Sequence, residues 1–304
     1  MGVKLQTNVA GVAFKNPVIT ASGTYGFGRE YLEFFPLSKL GGIATKGFAA
    51  EPWQGNAPPR VAETAAGMLN SVGLQNPGVD YFLEQDLPWL AQQDTVILAN
   101  IAGRDRAGYC AVAERLNDTA VDMVELNISC PNVEAGGASF GSTPEGVEEI
   151  TSAVRRVLRK PLIVKLTPNV RDIAETAAAA EAAGADAISL INTLTGMKID
   201  VESRRPILKR NMGGLSGPAV LPVAVYMVWR CFQRVQIPII GMGGVARWED
   251  AVELMLAGAN AVQIGTANFT DPYTPLKVLA GLEAYLDRQG YGSVEELVGK
   301  VEAW

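Results

Sequence analysis

The chain has 304 residues, with 32 acidic and 26 basic side chains, a net charge of −6 and no histidine. This balance argues against nucleic acid or an anionic membrane as the main partner, because both require a basic surface. No apolar stretch reaches the roughly 18 residues that a membrane helix needs, and residues 1–13 do not resemble a signal peptide. Three widely spaced cysteines form neither a disulfide framework nor a metal or iron–sulfur motif, so we expect a reducing, cytoplasmic setting.

Short apolar runs alternate with amphipathic helical patterns along the whole chain. The eight predicted strands are residues 17–21, 42–46, 96–101, 122–127, 162–166, 187–191, 237–241 and 261–265. This alternation predicts an α/β fold, a parallel (β/α)8 TIM barrel that forms one domain over residues 1–304. Residues 3–15 are predicted to form a small hairpin that closes the bottom of the barrel, and long βα loops are expected at the C-terminal face.

Polar side chains collect at the points where the predicted strands end. They are Ser22, Lys46, Asn100, Asn127, Lys165, Asn192 and Thr193. Because the carboxyl ends of the strands carry the active site in such barrels, these side chains should converge on one pocket. Strand ends are often polar for structural reasons alone. However, an unpaired buried ammonium is costly, so the pair Lys46 and Lys165 favours an anionic ligand.

Glycine-rich loops follow the seventh and eighth predicted strands. The first contains Gly243 and Gly244, and the second contains Gly265 and Thr266. Glycine lets backbone N–H groups approach a phosphate closely, and the N-terminus of the following helix adds a favourable dipole. The glycines could equally serve only as tight turns, but two such loops at this separation favour a phosphate site. The loop at residues 23–28 has the wrong spacing for a dinucleotide fingerprint and is interpreted as ligand-facing.

Cys130 follows the fourth predicted strand, in the sequence Asn-Ile-Ser-Cys-Pro-Asn at residues 127–132. A glycine-rich stretch, residues 136–141, comes next and could fold over a ligand. Because the chain has no histidine, this thiol is a candidate acid or base. A cysteine is more often a structural core residue, and we interpret Cys110 and Cys231 in that way.

Together these segments resemble the family 1 dihydroorotate dehydrogenases, flavoenzymes of pyrimidine synthesis. The resemblance covers nearly the whole chain. It is carried by residues 21–24 (Ala-Ser-Gly-Thr), 45–47 (Thr-Lys-Gly), 70–78 (Asn-Ser-Val-Gly-Leu-Gln-Asn-Pro-Gly), the Cys130 segment, Lys165, Asn192-Thr193 and both phosphate loops. Residues 132–141 are similar to the type 1B catalytic subunit. Glu134 departs from a basic residue common there, which bears on loop or partner detail and leaves the chemistry intact.

The resemblance implies FMN at the barrel mouth and a substrate beside it. The FMN phosphate would contact Gly217, Gly243, Gly244, Gly265 and Thr266. The isoalloxazine ring and ribityl chain would contact Ser22, Lys46, Gly47, Asn100, Asn127, Lys165 and Ile191. Dihydroorotate would contact Lys46, Asn70, Ser71, Val72, Gly73, Leu74, Asn127, Asn192 and Thr193.

The implied reaction is the oxidation of dihydroorotate to orotate in de novo pyrimidine (UMP) biosynthesis. Cys130 would take the C5 proton, the C6 hydride would pass to flavin N5, and Lys165 would stabilise negative charge on the reduced flavin. Type 1B enzymes pass electrons to NAD through a partner subunit that carries FAD and a [2Fe–2S] cluster. The resemblance therefore implies a homodimer of this chain within a heterotetramer.

Three alternatives remain at this stage. A type 1A enzyme would work as a homodimer with fumarate. A related flavin barrel would act on another dihydropyrimidine, although such a domain is expected in a longer chain with iron–sulfur motifs. A barrel that binds FMN or phosphate without turnover belongs to a different functional class, and the presence of Cys130 and both lysines argues against it.

Overall fold

A closed barrel of eight parallel strands forms the centre of the fold in the computed structural model, which describes residues 3–129, 140–302 and 304. The strands are β1 (Val18–Thr20), β2 (Gly42–Ala44), β3 (Val96–Ile101), β4 (Met123–Asn127), β5 (Leu162–Lys165), β6 (Ala187–Leu190), β7 (Ile239–Met242) and β8 (Ala261–Ile264). Each pairs with the next, and β8 pairs with β1 to close the barrel. Seven of the predicted strands contain one of these, and the predicted strand 237–241 overlaps β7, which extends to Met242, so the predicted barrel is confirmed.

Helices on the outside of the barrel follow most of the strands. The longer ones among the described residues are α1 (Arg106–Arg115), α2 (Pro144–Val157), α3 (Ile173–Ala182), α4 (Leu221–Phe232), α5 (Trp248–Leu256) and α6 (Thr274–Gln289). Shorter helical segments are Arg29–Tyr31, Leu37–Lys39, Val79–Tyr81, Phe82–Asp86, Leu87–Leu90, Pro218–Val220, Ala267–Thr270 and Val294–Leu297. None of the described helices is long and apolar enough to cross a membrane.

The helix boundaries follow from local chemistry, as α2 shows. Thr143 lies just before the helix, and its side chain accepts a hydrogen bond from the N–H of Gly146. Pro144 occupies the first helical position, where its missing N–H costs nothing. Val147 and Ile150, three residues apart, are buried on the face toward the barrel. Capping therefore fixes where the helix begins, and this apolar face fixes its orientation.

The lower part of the barrel is apolar and is closed by the N-terminal hairpin. The hairpin strands are Thr7–Val9 and Val12–Phe14. The buried side chains that form one cluster there are Val9, Phe14, Ile19, Ala44, Leu98, Met123, Ile163, Ala187, Ile240 and Ala261. The predicted hairpin and its position at the barrel bottom are thus confirmed. Because inward-facing residues recur every second position along a strand, the next inward residues lie toward the C-terminal face.

A small antiparallel sheet is built from the long βα loops that follow β2 and β6. Its strands, in spatial order, are Leu194–Gly196, Gly213–Ser216, Gly67–Asn70 and Val61–Thr64. A separate two-stranded ribbon joins Ile199–Asp200 to Arg205–Pro206. Asn70 is paired with Gly214 in this sheet, which ties the first loop to the second. The predicted long loops therefore form an ordered wall at the C-terminal face.

Candidate active site

A cavity opens at the carboxyl ends of the barrel strands, and most predicted site residues line it. Those that line it are Ser22, Lys46, Gly47, Asn70, Val72, Gly73, Leu74, Asn100, Asn127, Lys165, Ile191, Asn192, Thr193, Gly217, Gly243, Gly244, Gly265 and Thr266. Cys130, the predicted base, and Glu134 lie outside the described residues. The sequence therefore identified which strand ends line the cavity. The roles of the individual residues stay predictions.

Ser71 is placed differently from its neighbours. It is fully buried, and its side chain does not contribute to the described cavity lining, whereas Asn70 and Val72 do. Its N–H donates to the carbonyl of Arg60 at 2.8 Å, and its own carbonyl accepts from Asn56 Nδ2 at 2.9 Å. Alternate residues of an extended segment face opposite sides, so Ser71 points away from the cavity. These backbone hydrogen bonds hold the loop, and the contact of Ser71 with the substrate stays a prediction.

The proposed phosphate loops have a backbone that only glycine adopts without strain. The φ angles of Gly217, Gly243 and Gly244 are +101°, +120° and +86°. A Cβ atom on Gly244 would come within 2.8 Å of the backbone nitrogen of Leu221. On Gly243 it would meet Ile191 Cγ1 at 3.0 Å. Glycine at these positions is thus required both by conformation and by close approach.

These loops present backbone N–H groups just after the carboxyl ends of β7 and β8. Gly244 lies four residues before α5, where the N–H groups of Ala246 and Arg247 donate to Asp250 Oδ2, and Thr266 immediately precedes Ala267–Thr270. Within the described part of the chain, the N–H groups of Gly244 and Thr266 take no part in backbone hydrogen bonds. The Thr266 hydroxyl donates to Ser216 Oγ at 2.7 Å, which joins two of the loops. Unused N–H groups on loops of this kind form a surface that suits a phosphate.

Lys165 lies in the barrel interior, at the end of β5. Its side chain is 5% exposed, and its Nζ donates to Ser22 Oγ at 3.3 Å. Nζ also lies 3.7 Å from Oε2 of Glu125, whose side chain is fully buried. Its charge therefore has a counter-ion inside the protein. Lys165 therefore does not need an anionic ligand to balance its charge, contrary to the reasoning from the sequence. Lys165 nevertheless lines the cavity.

Glu125 was not identified from the sequence, although it connects three strands and a lysine. Its Oε2 accepts from Asn100 Nδ2 at 2.5 Å. Its Oε1 accepts from Ser189 Oγ at 2.9 Å and from Gln263 Nε2 at 2.8 Å. The available signal was its position two residues before Asn127, since residues two apart share one face of a strand.

A chain of hydrogen bonds continues from this group to the predicted substrate residues. Asn127 Nδ2 donates to Asn100 Oδ1 at 3.3 Å. The Oδ1 atom of Asn127 accepts from the N–H and the hydroxyl of Ser129, at 3.3 and 3.0 Å. Ser129 Oγ accepts in turn from Asn192 Nδ2 at 2.6 Å, and Asn192 Oδ1 accepts from the N–H of Thr193 at 2.8 Å. The amides of β4 and of the loop after β6 are therefore held in fixed orientations.

The two described cysteines lie away from the cavity. Cys231 on α4 is fully buried, and this burial raises the pKa of its thiol to about 12. Cys110 on α1 is half-buried, and burial likewise raises its pKa. Such thiols are poorly ionised and unreactive. Both positions agree with the interpretation of these cysteines as packing residues.

Comparison with known proteins gives a consistent result. The family described as dihydroorotate dehydrogenase matches residues 4–286. "Dihydroorotate dehydrogenase B (NAD(+)), catalytic subunit" from Alkaliphilus oremlandii is 58% identical over 294 residues, covering 97% of each chain. The protein of that name from Alkaliphilus metalliredigens is 56% identical, covering 98% of this chain and 99% of the relative. A third, from Parabacteroides distasonis, is 53% identical and covers 98% of both.

The fold is also similar to that of a solved structure. DHODH from Eimeria tenella in complex with ferulenol superimposes with a TM-score of 0.82, at 23% identity, over 98% of this chain and 88% of that one. This likeness supports the barrel architecture. With a full-length family match and relatives above 50% identity, the chain belongs to the dihydroorotate dehydrogenase family, as its motifs predicted.

Proposed function

We propose that this chain is the catalytic subunit of an NAD-linked dihydroorotate dehydrogenase, which oxidises dihydroorotate to orotate in pyrimidine biosynthesis. The names of its relatives support this assignment. The observation that carries it is that one cavity joins a glycine cradle for a phosphate to a buried lysine and a fixed set of amides. A non-catalytic phosphate-binding barrel would need the glycine loops but not the buried lysine or the fixed amides.

The described residues fit FMN as the cofactor. Gly243, Gly244 and Thr266 supply the phosphate end, and the interior end of the cavity is polar. There Gln263 lines the cavity, and its buried Oε1 atom has no hydrogen-bond partner among the described residues. A buried acceptor without a partner is costly, so a ring N–H of a bound flavin would satisfy it. When bound, FMN supplies the acceptor for the two electrons of the oxidation.

The side chains of the chain itself bind and orient the substrate and move its proton. Asn127 and Asn192 hold a planar pyrimidine ring by hydrogen bonds, since their orientations are already fixed in the hydrogen-bond chain described above. Lys165 places positive charge beside the site of reduction. Lys46 is assigned to the substrate carboxylate, and Cys130 to the proton at C5. Fixed donors reduce the ordering cost of reaching a reactive geometry.

Electron transfer beyond the flavin requires a partner. The cysteine spacing of this chain provides no iron–sulfur motif, and the chain has no defensible nicotinamide site. The term "catalytic subunit" in the relatives' names supports a second subunit. We assign FAD and a [2Fe–2S] cluster to that subunit, with two copies of this chain in a cytoplasmic heterotetramer.

Substrate preference tests this assignment against the related flavin barrels. The purified holoprotein would be mixed anaerobically with dihydroorotate or with dihydrouracil, and the rate of flavin bleaching measured by stopped flow. We expect dihydroorotate to reduce the flavin at least 100-fold faster, because a site built to bind a carboxylate strongly rejects an analogue without one. Faster bleaching by dihydrouracil would reassign the substrate.

A further inference from the structure

The carboxylate of Glu125 has four polar partners in the barrel interior, yet the reaction outlined above does not use it. It does not line the described cavity, and its side chain is fully buried. Three neutral donors and one ammonium converge on it, from β3, β5, β6 and β8. Burial of an ion costs several kcal/mol before the interactions with its partners offset that cost. A charged residue at this buried strand position, where an apolar residue would also fit, therefore suggests a functional role.

We propose that Glu125 is a positioning residue for both the substrate amides and the flavin. Its carboxylate sets the direction of the hydrogen-bond chain that ends at Asn192. Its charge balances that of Lys165. The substrate part of this inference rests on the proposed function, whereas the flavin part requires only that FMN binds.

The direction of the hydrogen-bond chain follows from what each end can do. An ionised carboxylate only accepts hydrogen bonds, so Asn100 must turn its Nδ2 toward Glu125 and its Oδ1 toward Asn127. At the other end, the backbone N–H of Ser129 only donates, so it requires Oδ1 of Asn127. Glu125 at one end and Ser129 at the other therefore require the same orientation of the two asparagine side chains. Without the charge, the orientation of the chain would be held from one end only, by the N–H of Ser129 through Asn127.

The same carboxylate determines what Gln263 presents to the cavity. Nε2 of Gln263 donates to Oε1 of Glu125, so its own Oε1 is the end left for a ligand. A glutamine at position 125 could satisfy Asn100 with its oxygen, but its NH2 group would then face Gln263. Gln263 would have to reverse, and the cavity would present a donor where it now presents an acceptor. A ligand N–H at that point would lose its partner.

The charge balance has a separate consequence. Glu125 and Lys165 form a buried pair with no net charge. Glu125→Gln removes the negative member and leaves a positive charge at the cavity wall. Interactions between charges are strong in a buried site because solvent screens them little. The additional positive charge favours the electron-rich reduced flavin, so the reduction potential should rise.

Two variants at Glu125 and one control separate these effects from simple destabilisation. Glu125→Gln keeps the shape and removes the charge. Glu125→Asp keeps the charge, but its shorter side chain cannot reach both Asn100 and the pair Ser189 and Gln263. The control is Asp86→Asn, since Asp86 is also a buried carboxylate with an arginine partner and does not line the cavity.

Four quantities would be measured on each holoprotein: the melting temperature, the dissociation constant of FMN, the dissociation constant of orotate from the flavin spectrum, and the reduction potential by dye equilibration. For Glu125→Gln we expect tenfold or weaker orotate binding. We also expect a potential raised by at least a tenfold shift in the reduced-to-oxidised ratio, about 30 mV for two electrons. Glu125→Asp should weaken orotate binding similarly but keep the wild-type potential. Asp86→Asn should leave the orotate and FMN dissociation constants and the potential unchanged, whatever its melting temperature.

The inference is overturned if Glu125→Gln, like the control, keeps the wild-type orotate affinity and potential. If Glu125→Gln does not fold, wild-type orotate binding by Glu125→Asp would also overturn the inference. The shorter Asp side chain must lose its contact with either Asn100 or the pair Ser189 and Gln263, and that loss would then have no effect on orotate binding. If wild-type protein is not bleached by dihydroorotate, the proposed function fails, and the potentials of the variants still test the charge balance.

Discussion

Replacing Gly244 by alanine should remove the phosphate site while leaving the rest of the cavity in place. Gly244 has φ +86°, where a side chain is strained by about 1–2 kcal/mol. Its Cβ would also lie 2.8 Å from the backbone nitrogen of Leu221, and overpacking of this kind costs about 1–3 kcal/mol. We therefore expect a loss of about 2–5 kcal/mol in the free energy of unfolding of the apoprotein.

Gly11→Ala is the matched control for this substitution. Gly11 has φ +82° with no atom within 4 Å of the added Cβ, and it lies in the hairpin that closes the other end of the barrel. It should lose only the conformational part, about 1–2 kcal/mol. Comparison of the two variants isolates the effect of crowding at the loop from the effect of the φ angle.

The decisive measurement is FMN binding to each apoprotein, followed by quenching of flavin fluorescence, with urea unfolding in parallel. Loss of one hydrogen bond to a charged phosphate costs about 1.5–3 kcal/mol, so Gly244→Ala should weaken FMN binding by about 10- to 100-fold. Gly11→Ala should bind FMN as the wild type does. Wild-type FMN affinity in Gly244→Ala would refute the phosphate assignment, and equal weakening in both would attribute the effect to general destabilisation.

Three further substitutions or modifications test other parts of the site. Cys130→Ser should slow flavin reduction by dihydroorotate at least about 100-fold in stopped flow, because general-base catalysis contributes this much; an unchanged rate would disprove the proposed base. Lys165→Met removes the counter-ion of Glu125, so urea unfolding should show a loss of about 1–3 kcal/mol; unchanged stability would show that the pair contributes nothing. Cys231 should resist alkylation at pH 9 in the native protein, as judged by peptide mass spectrometry, because its thiol is fully buried with a pKa of about 12; modification at the rate of the unfolded chain would contradict that burial.

The barrel and the location of its site could be predicted because both depend on local patterns. Apolar runs define buried strands, and a polar residue at the end of each run faces the same pocket. Asn127 and Lys165 are examples, and both line the cavity. The glycine loops were recognisable because their conformation requires a particular residue type. The family resemblance supplied the cofactor and the roles, which the patterns alone did not contain.

The interior network could not be read from those patterns. Glu125 and Ser189 lie within runs that were interpreted as apolar strands, and their partners come from other strands. The hydrogen bond from Gln263 to Glu125 spans 138 residues of sequence. Only the two-residue period, counted back from Asn127 to Glu125, would have shown that polar residues also occupy the inward face.

The small sheet at the mouth was missed for a different reason. Its strands have three or four residues, and one of them contains the two glycines Gly213 and Gly214, which weaken strand signals. Asn70 is hydrogen-bonded to Gly214, 144 residues away in sequence. Strands of this kind are stabilised by pairing rather than by composition. The same pairing explains why Ser71, next to Asn70, is turned away from the cavity.

The most direct test of the central claim is an anaerobic titration of the purified chain with dihydroorotate, followed through the visible absorbance of the flavin, with NAD and then fumarate added afterwards. We predict that dihydroorotate bleaches the flavin, that NAD alone does not restore the colour, and that NAD does so once the electron-transfer subunit is present. A flavin that stays oxidised with dihydroorotate would contradict the substrate assignment. Recovery with fumarate alone would contradict the NAD-linked type.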